Sequence, residues 1–176
     1  MRKNLYWFFL TLIFVLSMAM TYMGAASSAS PVIRLEPKDN TAAVGENFTV
    51  NITVTGITEE QSLYLWDCRI NFNPGIIHAV DATEGPFLKT TGYDTTWLSP
   101  SINNTAGTID VGAFLTFSAQ WDGFPPHGAV DTGTLATVTF QVVGQGATEL
   151  AFKEKKDTEL NTILIVSGIQ HVNPIT

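Results

Sequence analysis

From Asn47 to Thr55 the chain alternates: Phe48, Val50, Ile52 and Val54 are set between Asn47, Thr49, Asn51 and Thr53. Successive side chains of a strand point to opposite faces, so this pattern is a ribbon with one apolar face and one wet face. Such a ribbon needs a second layer to cover its apolar side. The same period returns twice. In Leu63–Asn71, Tyr64, Trp66, Cys68 and Ile70 share one side, while Leu65, Asp67, Arg69 and Asn71 share the other. Phe72 continues the apolar set until Pro74-Gly75 stops the strand, because proline offers no ladder donor. In Thr134–Val143 the apolar side is Ala136, Val138, Phe140 and Val142.

Weaker strand patterns cover Val32–Glu36, Ile77–Ala82, Thr95–Ser99, Thr108–Leu115, Thr148–Phe152 and Leu160–Val166. Gly45, Gly56, Gly85-Pro86, Gly92, Gly107, Pro125-Pro126 and Gly144-Gln145-Gly146 separate them. No helical stretch of convincing length interrupts this texture, and Glu154-Lys155-Lys156-Asp157 reads as a solvated turn. About nine strands with regular turn signals predict an all-β, antiparallel two-sheet sandwich. Cys68 is the single cysteine of the 176 residues, so no internal disulfide forms and a hydrophobic core must hold the domain. Counting also excludes zinc sites of four cysteines, or of two cysteines and two histidines.

The first 29 residues differ from the rest. Arg2 and Lys3 precede the apolar run Leu5–Met23, and Gly24-Ala25-Ala26-Ser27-Ser28-Ala29 comes after it. A basic start, an apolar stretch and small residues make a secretory signal, with cleavage after Ala26 or Ala29. The run also approaches bilayer-spanning length, so an uncleaved anchor is the alternative, and only then does a membrane enter. Either way the domain, 31–176, is expected outside the cytoplasm. Without Arg2 and Lys3, seven basic residues face sixteen acidic ones, a net charge of −9. So acidic a surface repels phosphate backbones and anionic lipids, and nucleic-acid binding is set aside.

Four blocks in order resemble the cohesin family, the modules with which scaffold proteins capture dockerin-bearing enzymes. Val44-Gly45-Glu46 leads into the Phe48–Val54 strand. Trp66–Ile70 runs into Phe72-Asn73-Pro74, where the family has Tyr-Asp-Pro. Glu84-Gly85-Pro86-Phe87-Leu88 matches the next loop of the family. Gly133–Val142 with Gly146-Ala147-Thr148-Glu149-Leu150 is the strongest block. The resemblance spans about Val32 to Val166. It implies a nine-stranded jelly roll, no catalysis and no cofactor, with one flat sheet face docking a helix pair of a dockerin in extracellular polysaccharide breakdown. The family's outward aspartate on the third strand falls on Asp67, with Leu65 where asparagine is common. A second aspartate, before the fifth strand, falls on Asp94, with Leu98 as a further contact. Period two independently sets Leu65 and Asp67 on one face, an apolar anchor beside a polar group.

Other chemistry is weaker. Asp131-Thr132-Gly133-Thr134 looks like an aspartic-protease signature, but that reaction needs a second carboxylate from another lobe or a dimer partner. The chain has one Asp-Thr-Gly, and these residues also suit a turn into the strand that begins at Thr134. His78, His127 and His171 lie in separate segments without metal or triad spacing. Tyr93, Trp97, Trp121 and Phe124 occupy the least patterned stretches. A sandwich with exposed rings could stack on sugars, which makes carbohydrate binding through Trp97 and Trp121 the alternative function. Asn47, Asn51 and Asn103 begin N-glycosylation sequons, and glycans on Asn47 and Asn51 would cover the polar face of their strand.

Overall fold

The computed structural model describes residues 30–116 and 126–153 in full, together with the backbone of Thr162–Val166. The leader, Trp121, Phe124, His171 and the Glu154–Asp157 turn lie outside these residues. Nine strands appear among the described residues: β1 (Val32–Glu36), β2 (Asn47–Ile57), β3 (Leu63–Asn71), β4 (Ile77–Glu84), β5 (Thr95–Asn103), β6 (Thr108–Leu115), β7 (Asp131–Val142), β8 (Ala151–Phe152) and β9 (Thr162–Val166). They form two antiparallel sheets. One has the order β1-β2-β7-β4; the other has the order β5-β6-β3, with β8 and β9 both pairing the far edge of β3. The chain crosses between sheets after β2, β3, β4, β6 and β7, which makes the sandwich a jelly roll.

The alternating sets meet between the sheets. Val50, Ile52 and Val54 of β2, with Val138 and Phe140 of β7, face Trp66, Cys68 and Ile70 of β3 and Ile109 and Val111 of β6, all buried. Phe140 stacks on its cross-strand neighbour Phe48 at 5.6 Å and meets the edge of Phe72 at the same centroid distance. Contacts of this kind add about 0.5–1.5 kcal/mol beyond area burial. Cys68 is sealed in this core, and burial pushes its thiol well above the ordinary range, so it behaves as a small apolar residue.

Two of the sequence blocks clasp each other. The Gly85 N–H donates to the Leu135 carbonyl at 2.8 Å and the Phe87 N–H to the Thr134 carbonyl at 3.1 Å. A Cβ on Gly85 would lie 2.2 Å from the Thr134 carbonyl oxygen, and one on Gly133 would lie 2.4 Å from the buried Phe87 ring. The glycine of the Asp-Thr-Gly stretch is thus the floor under Phe87. Asp131 itself is exposed at the start of β7, in the left-handed region at φ 73°. Lys89 closes the loop with an ion pair to Glu84 at 2.7 Å.

A side chain also ties the sheets. Asn104, in the β5–β6 turn, gives its amide N–H to the Ala79 carbonyl at 3.0 Å and accepts the Ala79 N–H at 2.9 Å. It thereby satisfies the free edge of β4 beside the bulge between Ala79 and Asp81. In the Phe72-Asn73-Pro74 turn, the Asn73 Oδ1 accepts the Gly75 N–H at 2.9 Å, a bond an aspartate would make equally well.

Adding one methyl group at Gly85 tests the clasp. Gly85→Ala is expected to cost about 1–3 kcal/mol, because the new Cβ meets backbone that cannot rotate away. Urea denaturation measures it; an unchanged midpoint would show that the loop and β7 separate freely.

Candidate functional site

The core position of Trp66, at 1% exposure, dictates what its neighbours do. Leu65 and Asp67 lie on the outer face of the five-stranded sheet, and Arg69 and Asn71 extend the row. Pairing carries this face across three strands. Leu65 lies opposite Phe114 and then Thr96; Asp67 opposite Gly112 and then Leu98; Arg69 opposite Asp110 and then Ser101; Asn71 opposite Thr108 and then Asn103. On the other side of β3, the β9 backbone sets Ile165 and Ile163 in register with Leu65 and Asp67.

Gly112 gives this face its shape. It leaves a dip beside Asp67, and the Leu98 side chain lies across it: Leu98 Cδ1 would be 3.2 Å from a Cβ on Gly112. Leu98 remains 42% exposed there, a large apolar side chain held at the surface. Immediately beyond it, a bulge at Ser99-Pro100 shifts the β5 register against β6. Proline is tolerated because β5 is an edge strand whose outer N–H groups face no ladder.

Charge is arranged as unevenly as shape. Arg69 grips Asp110 along one edge of its guanidinium, with Nε 2.5 Å from Oδ1 and Nη2 3.0 Å from Oδ2. Asp67 sits half-buried beside this pair. Partial burial, and then the Asp110 carboxylate, hold its carboxyl above the usual 3.8, while Arg69 and the Cys68 N–H pull weakly the other way.

The remaining expected residues scatter more. Asp94 lies just before β5, exposed; its carbonyl accepts the Thr116 N–H at 2.8 Å, and its parity is that of Thr96 and Leu98. Thr96 and Thr116 join hydroxyls at 2.9 Å between Asp94 and the Leu65 row. Sequence reasoning missed Phe114, Gly112 and the Arg69–Asp110 pair. The alternation of Thr108–Leu115 held the signal for Phe114 and Asp110, but the pairing partner was not legible.

The aromatic candidates are placed differently from the Leu65 row. The parity of Trp97 in β5 turns it inward, half-buried opposite Ala113, with its ring 5.9 Å from that of Trp66. Tyr93 packs against the core as well and meets His127, its hydroxyl 3.3 Å from Nδ1. Trp121 lies outside the described residues. Of the sequons, Asn47 and Asn51 are on the outer face of the other sheet, where the Asn51 Oδ1 accepts the Thr137 hydroxyl at 2.8 Å. Asn103 ends the Asn71–Thr108 row, and its Oδ1 accepts the Thr105 and Ala106 N–H groups at 3.1 and 2.9 Å. Glycans on Asn47 and Asn51 would leave the Leu65–Asp67 face open.

Comparison with known proteins agrees with this architecture. The family model described as Cohesin domain matches residues 33–169. The chain is similar to a structure of a type II cohesin–X-dockerin complex from Acetivibrio cellulolyticus, an N-terminal interface mutant. The TM-score is 0.65 at 18% identity, covering 81% of this chain and 91% of that one. It is also similar to the second type II cohesin module of the ScaA adaptor scaffoldin of that organism, with TM-score 0.58, 21% identity, and 81% and 80% of the two chains covered. A third similar structure is that of the sixth cohesin of scaffoldin B of Acetivibrio cellulolyticus in complex with a Cel5 dockerin mutant. There the TM-score is 0.56 at 14% identity, over 82% of this chain and 93% of that one. No curated protein sequence matches the chain significantly.

The environment of Asp67 sets a pH dependence. Its carboxyl binds a proton more readily in the fold than in the unfolded chain, so the ionised form costs stability as pH rises from about 3.8 through the raised folded value. Asp67→Asn is expected to raise the melting temperature at pH 7, and the gain should shrink as pH falls toward 4. Because the group is half in water, the gain stays below about 1 kcal/mol. Thermal melts at both pH values check this; a variant less stable than the parent at pH 7 would show that the carboxylate supports the fold.

Proposed function

The chain belongs to the cohesin family, and from that premise we propose that it captures a dockerin module on the outer face of its five-stranded sheet. Cohesin modules are non-catalytic binding domains, and this chain is read as a binder. The observation that carries the reading is the outer row of β3 and its neighbours, where the register sets Leu65, Phe114 and Leu98 around Asp67. Apolar side chains give a docking surface its affinity by losing water, and one polar group among them fixes orientation. The occupant is an amphipathic helix pair, whose apolar side fits a flat β face better than a groove. Asp94, beyond the Leu65 row, would bound the contact at one end.

The leader supports work outside the cytoplasm. Arg2, Lys3, the Leu5–Met23 run and the small residues after it direct export, and cohesins are modules of scaffoldins that act at or beyond the cell surface. The role is to hold a dockerin-bearing enzyme near its polysaccharide. The sugar-binding alternative loses Trp97, whose ring faces inward.

The reading is tested by titrating the module with calcium-loaded dockerin modules encoded in the source genome, each produced singly. Leu65→Arg and Leu98→Arg should each weaken capture at least about thirty-fold, the scale of a central contact residue. Thr49→Arg, at an exposed site on the opposite sheet, should leave it unchanged. Loss of capture in Thr49→Arg with retention in Leu65→Arg would move the site to the other sheet; no capture by the parent would end the proposal. Polysaccharide retention lost in Trp121→Ala would restore the sugar-binding reading.

A further inference from the structure

Among the described residues, the outer face around Asp67 does not balance its own charge. Asp67, Arg69 and Asp110 occupy adjacent rows, two carboxylates to one guanidinium. Arg69 holds Asp110 through Nε and Nη2, at 2.5 and 3.0 Å, and attracts Asp67 less strongly than burial and Asp110 oppose its charge. Opposite Asp67 stands Gly112, which offers no side chain, and beyond it Leu98 lies across the dip. Along β3 the next outward residue is Leu65. The carboxylate is therefore held in an aliphatic frame, already partly stripped of water.

A partner that covers this frame removes the remaining water. A buried carboxylate without compensation is costly, and truncating one member of a buried pair typically costs more than the pair gains. A neutral hydroxyl on the partner would supply one hydrogen bond and leave a full negative charge beside Asp110. A cation would supply the bond and also offset the second carboxylate. Resting on the proposed docking role, we infer that the partner seats a lysine or arginine side chain on Asp67, with its aliphatic stem lying between Leu65 and Leu98. Such a stem is apolar while its head is charged, which matches the pairing of leucines and carboxylate on this face. The net charge of −9 that remains without the leader's two basic residues adds long-range attraction for a basic surface.

Asparagine at position 67 separates cation from hydroxyl, because it still accepts a hydrogen bond but carries no charge. Parent, Asp67→Asn, Asp67→Ala and Leu65→Arg are titrated with the captured calcium-loaded dockerin at 50 and 500 mM NaCl. With a cation on Asp67, both Asn and Ala variants lose about thirty-fold or more at low salt, and their affinities depend less on salt than the parent's. With a neutral donor, Asp67→Asn stays within about threefold of the parent while Asp67→Ala falls, which would overturn the inference. Leu65→Arg reports on the docking face itself. If it abolishes capture while Asp67→Asn binds normally, the face stands and only the cation is wrong; if it binds like the parent, the face fails and the cation with it.

Discussion

The inward placement of Trp66 is the constraint on which both the core and the proposed docking face depend. It is the largest fully buried side chain among the described residues, it anchors the middle strand of the five-stranded sheet, and Trp97 packs against it. Side-chain direction in a strand has period two, so a Trp66 that must point inward forces Leu65 and Asp67 outward. A slip of one residue would bury Asp67 and expose the indole, losing both the core and the proposed docking face. The antiparallel register with β6 then brings Gly112 and Phe114 beside these two residues without further instruction. The proposed docking face is in this sense the reverse side of the core.

Much of the architecture was legible, for physical reasons that differ by element. The alternation of Phe48, Val50, Ile52 and Val54 and that of Trp66, Cys68 and Ile70 translate directly into buried rows. Three strands have the predicted bounds: Val32–Glu36, Leu63–Asn71 and Thr108–Leu115. The Thr95–Ser99 pattern stops before Pro100, yet β5 runs on to Asn103. The ring removes a donor that an edge strand does not use, and the bulge absorbs its geometry. Thr148–Phe152 shrinks to Ala151–Phe152, which pairs with Asn71 and Ile70 of β3. The direction of Trp97 is hidden in the sequence because its neighbours Thr95, Thr96 and Ser99 are polar on both sides, which masks the parity that puts it against Trp66.

The candidate site was half legible. Leu65 and Asp67 share a face by sequence parity alone, and no tertiary knowledge is needed to see it. The Arg69–Asp110 pair was not visible, because it joins residues 41 positions apart and exists only once β3 and β6 are aligned. Gly112 was equally silent. A glycine in a strand pattern signals close approach or a gap, but which neighbour uses the gap, here Leu98, depends on the adjacent strand. The Asp-Thr-Gly stretch shows the converse. Its glycine has a structural reason that the sequence hides: Gly133 lies under Phe87, a packing requirement that closure of the Gly85 loop imposes.

Asp67 stands apart from its neighbours on the outer face because its position opposes stability. Its partial burial and the nearby Asp110 both disfavour the ionised form, and Arg69 offsets them incompletely. Selection for folding alone would favour an uncharged polar residue at such a site, since a carboxylate half-stripped of water gains nothing there that an amide would lack. A carboxylate whose surroundings disfavour its charge is a candidate for a binding role. The balance changes when a partner arrives. In the proposed complex water is lost in any case, the low local dielectric strengthens an attraction as much as a repulsion, and the carboxylate that weakens the free module would become an orienting contact. The frame of Leu65, Phe114 and Leu98 is what makes that reversal large, because apolar walls exclude the solvent that would otherwise mute it.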